Sequence, residues 1–361
     1  YSINARERGR DMDKPMIERV VGQLAKVGVA TVNLGGNEPI FTNGIKLDNS
    51  LLHYIIDALD DAGIKVALTT SGISILKLQE RHKASFLKLN DVDVSFDSPF
   101  EEEHNKNRGA NIFYQAVEAL DLCRAHEIPR TCIMAAMNWN FSRRHIDAMY
   151  DLALAHDANI RINPVKPIEP HHMAIALPVA DYYAGFSRLL ELCDAVDLGE
   201  PPIAAMTQYS GARRCPCGRT SFRIHSITPK GEIHVSPCVY LHDYKAPLNL
   251  LTHELIDIIN SPQFRVFRQR NANPDKVGDC VGCDHLSACG GGCAARSYLY
   301  YSHLSGGIKT MLAKDPYCPR NVAPKEPFPL DPPIDDSERL VHMDYLCTWI
   351  GRPRPGARDS A

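Results

Sequence analysis

Val29-Ala30-Thr31-Val32-Asn33-Leu34-Gly35-Gly36-Asn37-Glu38-Pro39 is the stretch from which the fold of the N-terminal half can be read. Its first six residues form a short apolar run, which reads as a buried strand. The two adjacent glycines that follow expose backbone N–H and C=O groups to whatever approaches the strand end. Taken alone, such a turn is also what any strand end looks like. Its neighbours give it meaning. Upstream, Lys14–Lys26 places Ile17, Val20, Val21 and Leu24 on one helical face behind Asp13, a fitting N-cap. Downstream the periodicity predicts helix 51–62, strand 65–70, helix 73–88, strand 92–97, helix 111–126, strand 130–136, helix 143–157, strand 159–163 and helix 179–195. Helices alternating with short strands imply parallel strands joined by crossovers, hence an α/β barrel or open sheet. Six helices but only five strands are counted, so a first strand is missing. Two further polar turns, Thr69-Thr70-Ser71-Gly72 and Ser95-Phe96-Asp97, also end strands. Active sites of such barrels gather at that end.

The C-terminal half has a different character. Cys280, Cys283, Cys289 and Cys293 form C-x2-C-x5-C-x3-C, preceded by Cys215, Cys217 and Cys238 and followed by Cys318. Eight thiolates suffice for two four-iron clusters of four ligands each. A single structural zinc needs only four, although two zinc sites would also use eight. Disulfides would need an oxidising compartment, and the chain shows no secretory h-region and no small stapled scaffold. Twelve cysteines without an export signal point to a reducing, cytoplasmic setting. A net charge of −3 gives no basis for bulk binding of nucleic acid or an anionic membrane. At 361 residues and 44% hydrophobic, the chain can bury a large core and hold two domains.

Together these residues resemble the radical S-adenosylmethionine (radical SAM) enzymes that carry a C-terminal SPASM domain. Gly35-Gly36-Asn37-Glu38-Pro39 is similar to the family's GGEP turn, with Asn37 as a departure. Val94-Ser95-Phe96-Asp97-Ser98-Pro99, then His104 and Arg108-Gly109, resembles its third-strand segment. The resemblance implies a partial (β/α)6 TIM-like barrel over residues 1–205 and a β-hairpin/α SPASM domain over 206–322. A Pro-rich extension, 323–361, has no counterpart. It also implies that Gly35, Gly36, Asn37, Glu38, Ser71, Ser95 and Arg108 bind S-adenosylmethionine, Ser95 at the ribose and Arg108 at the carboxylate. A guanidinium suits that last role because its planar fork grips a carboxylate with two bonds.

The cysteine pattern carries the most specific part of the resemblance. Thirteen residues separate Cys217 from Gly231, as the family's C-x9–15-G spacing requires, while six rather than four separate Gly231 from Cys238. By resemblance Cys280, Cys283, Cys289 and Cys318 hold an outer 4Fe-4S cluster, and Cys293, Cys238, Cys217 and Cys215 an inner one. The chain contains no C-x3-C-x2-C for the catalytic cluster, and its first cysteine is Cys123. That motif and the missing strand are expected upstream of Tyr1. The implied chemistry is reductive cleavage of S-adenosylmethionine to a 5′-deoxyadenosyl radical, which takes hydrogen from a peptide or protein substrate. Flavodoxin or ferredoxin would be the electron donor. The alternatives are a small-metabolite substrate, or a non-catalytic iron–sulfur scaffold that binds peptides.

Several residues stay outside the pattern. Cys123 and Cys193, read as helical, and Cys132, read as a strand residue, fit core packing. His171-His172 reads as a solvated loop pair, and Tyr298, Tyr300 and Tyr301 as cover for a cluster. Val239 stands where sulfatase-maturating relatives place a catalytic Asp, so no base is identified. Cys347 lies in the tail with no pattern to attach it to.

Overall fold

The computed structural model describes residues 11–207, 214–304, 307, 309–322, 328, 339–343 and 346–358. Helix α1 (Lys14–Lys26) begins where Asp13 accepts a hydrogen bond from the Met16 N–H at 3.1 Å, and it buries Ile17, Val20, Val21 and Leu24. Then follow β1 (Thr31–Leu34), α2 (Leu52–Asp61), β2 (Lys65–Thr70), α3 (Ile73–Arg81), α4 (Lys83–Phe86), β3 (Leu89–Ser95), α5 (Glu101–Arg108) and α6 (Phe113–Ala125). The series continues through β4 (Arg130–Ala136), α7 (Arg143–Ala155), β5 (Asn159–Pro164), α8 (Val179–Leu192), β6 (Cys193–Leu198) and α9 (Pro201–Thr207). Strands β1 to β5 pair in parallel and in chain order. This is the sheet that helix–strand alternation requires.

The expected boundaries fail at four places. The helix expected over 73–88 breaks at His82, whose ring stacks on His53 with centroids 3.8 Å apart. Strand β3 starts at Leu89 and ends at Ser95, not over 92–97. Helix α5 was not anticipated because only His104 is buried in it, so no apolar stripe marks it. Its signal is electrostatic instead: Glu101, Glu102 and Glu103 in the first turn, Lys106 and Arg108 in the last, and Gly109 as a left-handed cap. Finally, the helix expected over 179–195 ends at Leu192, and Cys193 opens β6.

The largest departure lies near the C-terminus. After the smaller elements β7 (Arg223–Ile224), β8 (Val235–Ser236), α10 (Leu255–Ile259), α11 (Pro262–Ala272), α12 (Leu286–Cys289), α13 (Ala294–His303) and α14 (Pro319–Val322), the chain returns to the main sheet as β9 (Trp349–Pro353). It runs antiparallel between β5 and β6, pairing Trp349 with both Ile162 and Leu198. Trp349 is fully buried. Strands β7 and β8 form the short antiparallel hairpin of the cysteine-rich half, with Gly231 in a left-handed conformation at its turn. No helix among the described residues is long and apolar enough to cross a membrane.

Strand β9 is held by a close approach at Gly351, where an added Cβ would lie 2.2 Å from the Trp349 ring and 3.0 Å from the Cys193 Cβ. Gly351→Ala is therefore expected to destabilise the protein by about 1–3 kcal/mol, the usual cost of overpacking. Denaturant unfolding followed by tryptophan fluorescence reads this. An unchanged midpoint would show that the indole moves aside freely.

Candidate functional site

The C-terminal ends of the parallel strands carry the residues that the sequence singled out. Gly35 approaches the sheet so closely that a Cβ there would lie 3.1 Å from Asn33 Nδ2 and 3.3 Å from Thr69 Cβ. Gly36 has φ 118°, a conformation that L-residues rarely adopt. Glu38 turns inward, and both its oxygens are used. Oε2 accepts from the Ser71 N–H at 2.9 Å and the Ser71 hydroxyl at 2.6 Å. Oε1 accepts from the Ser74 N–H at 2.9 Å and from the hydroxyls of Thr70 and Ser74. The carboxylate thus clamps the glycine turn to the end of β2 and the first turn of α3, where negative charge meets free N–H groups.

A second clamp follows β3, where Ser95 is half-buried. Arg108 grips Asp97 with two bonds, from Nε at 2.7 Å and Nη2 at 2.8 Å, and Asn107 adds a third. The Asp97 N–H donates to His104 Nδ1 at 3.1 Å. Burial, then the charge of Arg108, pushes the His104 pKa down to about 4, so the ring is a neutral acceptor. Buried Asn140 ties this loop to β4 by donating to the Asp97 and Ala135 carbonyls. Of the expected cofactor residues, the structure therefore joins Glu38 with Ser71, whereas Arg108 lies in a separate cluster with Asp97.

Between these clamps the face of the sheet is polar, which the strand readings did not anticipate. Asp91 and Asp93 on β3 and Arg161 on β5 are all fully buried, and His342 is buried with them. His342 Nδ1 hydrogen-bonds Asp91, and its Nε2 stands 3.1 Å from Asp93 and 3.3 Å from the Thr69 hydroxyl. Arg161 donates to Asp93 at 2.6 Å and to Thr348 at 3.3 Å. Burial pushes the Asp93 carboxyl up despite His342 and Arg161. Burial opposes ionisation at Asp91 too, but there His342 and the Val341 N–H outweigh it and hold the carboxyl down.

Beyond β5 lie the cysteines. Cys215, Cys217, Cys238, Cys293 and Cys347 are buried in one cluster with Tyr240, Leu241 and Phe267. Within it Cys217 neighbours Cys238 and Cys215, and Cys347 neighbours Cys215 and Cys293. Hydrogen bonds from Cys217 and Cys347 hold the Cys215 thiol well below its ordinary range, toward the thiolate that ligates metal. A second set is less buried: Cys280 faces Cys318 and Cys283, and Cys289 faces Cys318 and Cys280. Among the described residues, no three His, Cys, Asp or Glu side chains stand as a single-ion site would need. The thiols form two extended groups instead.

Cys289 and Cys293 fall in different groups because Gly290, Gly291 and Gly292 all take positive φ, turning the chain sharply between them. Asp315 fixes that turn. It accepts from the Cys293 N–H at 2.7 Å and from Arg296 Nε at 2.9 Å, and its own carbonyl accepts from the Cys318 N–H. Arg296, fully buried, also pairs with Glu200 at 2.7 Å. Cys347 is the member that sequence reasoning missed. No spacing could have revealed it, since β9 alone carries it there. Conversely Cys193, expected in a helix, packs in β6, and Cys123 and Cys132 are core residues. The His171–His172 pair lies in a surface turn, where His172 Nδ1 accepts from the Glu169 N–H.

The inner group is also ringed by cations with neutral partners. Lys166, fully buried beside Cys293, donates to Asn163 and the Pro164 carbonyl and lies 4.5 Å from the Tyr240 ring centre. Arg270, beside Cys215, donates to the carbonyls of Met311 and Gly291. Half-buried Arg223, beside Cys238, donates to the Val239 carbonyl. A buried cation without a counter-ion costs several kcal/mol, so these positions fit thiolates carrying an anionic group. An all-thiolate iron–sulfur cluster meets that requirement.

Comparison with known proteins finds two family matches. Residues 1–153 match the radical SAM superfamily, and residues 215–284 match SPASM, an iron–sulfur cluster-binding domain. An uncharacterized protein of Archaeoglobus fulgidus is 26% identical over 329 residues, covering 87% of this chain and 72% of that protein. Mycofactocin maturase MftC of Mycobacterium ulcerans is 27% identical over 305 residues, covering 80% and 76%. Among solved structures, anSMEcpe with bound AdoMet and Cp18Cys peptide superposes with TM-score 0.58 at 15% identity, over 85% of this chain and 91% of that one. Streptococcus suis SuiB bound to S-adenosylmethionine gives 0.50 at 14% identity, over 86% and 71%.

His342→Ala would leave Asp91 and Asp93 facing one guanidinium in a closed interior. The expected cost is about 3–5 kcal/mol, as for removal of one partner from a buried ion pair. Chemical denaturation measures it. A loss below about 1 kcal/mol would mean that water or a shared proton replaces the imidazole.

Proposed function

We propose that this chain, which belongs to the radical SAM superfamily and carries a SPASM domain, modifies a residue within a peptide. The observation that carries the reading is the pair of thiol groups, the inner one ringed by Lys166, Arg223 and Arg270, beside the C-terminal end of β5. The similarity to mycofactocin maturases, and the peptide bound in the anSMEcpe structure, support a peptide over a small metabolite. When bound, S-adenosylmethionine and its iron–sulfur partners supply one-electron cleavage and hydrogen abstraction.

The chain's own residues position the reactants. Gly35, Gly36 and Asn37 present backbone groups at the end of β1, and Glu38 holds that turn in place through Ser71 and Ser74. Ser95 and Arg108 complete the S-adenosylmethionine site on β3 and α5, with Asp97 holding Arg108 by one edge of its guanidinium. Cys280, Cys283, Cys289 and Cys318 are assigned to an outer 4Fe-4S cluster. The inner cluster draws on Cys215, Cys217, Cys238 and Cys293. A small electron carrier of the flavodoxin or ferredoxin type is assigned as reductant.

Anaerobic reconstitution is expected to load about eight irons per chain, four per cubane. Cys293→Ala is expected to lose about four of them from the inner cluster and spare the outer, as Mössbauer spectroscopy resolves. Tightly bound zinc without iron absorbance would sink the assignment.

Arg108→Ala is expected to weaken S-adenosylmethionine binding about thirty- to a hundredfold, for a lost two-bond contact of about 2–3 kcal/mol. Calorimetric titration checks this. Unchanged affinity would confine Arg108 to its pair with Asp97.

A further inference from the structure

Cys347 lies outside both family matches, yet it is 2% exposed within the inner thiol group. Two features of the chain put it there. Trp349 pairs with Ile162 in antiparallel register, so Cys347, two residues earlier, falls level with Pro164 at the C-terminal end of β5. Immediately before it, Leu346 takes φ 75°, a left-handed conformation that costs a non-glycine residue of order 1 kcal/mol or more. The turn brings the thiol into the buried cluster that holds Cys215 and Cys293, close to both. An ordinary packing cysteine does not require such a turn.

Five thiols therefore converge where a four-iron cluster takes four. Cys215 and Cys217 are separated by Pro216 alone, a shorter and stiffer spacing than the C-x2-C of ferredoxin-type runs. We propose that Cys347 is a ligand of the inner cluster, together with Cys238, Cys293 and one member of the Cys215–Cys217 pair. The inference rests on the iron–sulfur reading above and revises its inner ligand set, with Cys347 in place of Cys215 or Cys217. Through Cys347, the strand that closes the main sheet also closes the cluster. Cluster occupancy and docking of β9 between β5 and β6 are then one event.

The test is iron content and spectroscopy of the reconstituted full chain. Cys347→Ala is expected to fall from about eight irons to about four, with the outer cluster's signal intact as the measure of folding. Cys347→Ser, whose oxygen can still bind iron, is expected to keep most of the iron and shift the inner cluster's EPR signal. Of Cys215→Ala and Cys217→Ala, one is expected to retain the full complement. The proposal is overturned if Cys347→Ala keeps all its iron with unchanged spectra. It is overturned equally if Cys215 and Cys217 both prove indispensable. A wild-type chain that takes up no iron would instead refute the underlying reading, a distinct outcome.

Discussion

Positive charge buried without carboxylate partners among the described residues is the constraint on which the cysteine-rich half depends. Lys166 and Arg270 are essentially inaccessible, and Arg223 is half-buried; all three are bound to neutral oxygens. Several kcal/mol for each would consume much of a typical folding stability of about 5–15 kcal/mol. The thiols between them relieve it, because a thiolate set holding an anionic cluster supplies the missing charge at the centre of the ring. The inner group is therefore a core in its own right, with an electrostatic rather than an oily centre.

The carboxylates are spent elsewhere. Asp315 and Glu200 both serve Arg296, and Asp315 at the same time pins the N–H of Cys293 and the loop bearing Cys318. This junction sets the distance between the two thiol groups. Gly292 must be glycine there, since a Cβ would meet the Asp315 side chain at 2.5 Å. The strand ends of the parallel sheet use the same device: Glu38 and Asp97 each hold a loop through several donors. Rigid loops on a rigid sheet are what positioning of a reactive cofactor demands.

Much of this was legible in the sequence. The Lys14–Lys26 helix, the strands at 65–70 and 130–136 and the capping by Asp13 followed from periodicity and cap chemistry. The glycine turn and the cysteine spacing were local patterns that need no tertiary context. Helix α5 escaped because its face is charged, and β6 because it continues from α8 without a turn residue. The buried quartet of Asp91, Asp93, Arg161 and His342 escaped because it draws on three separate segments of the chain, 251 residues apart at the extreme.

The alternation of helices and strands, the strand-end turns and the spacing of the eight cysteines are legible in the order of residues, because each is a pattern of intervals along the chain. The fold alone reveals that the C-terminal strand enters the main sheet antiparallel, that His342 meets two aspartates and that Cys347 is buried with Cys215 and Cys293. These are contacts between segments far apart in the chain. Their register is set by packing of Trp349 and by pairing of buried charges, neither of which leaves a periodic trace in the order of residues.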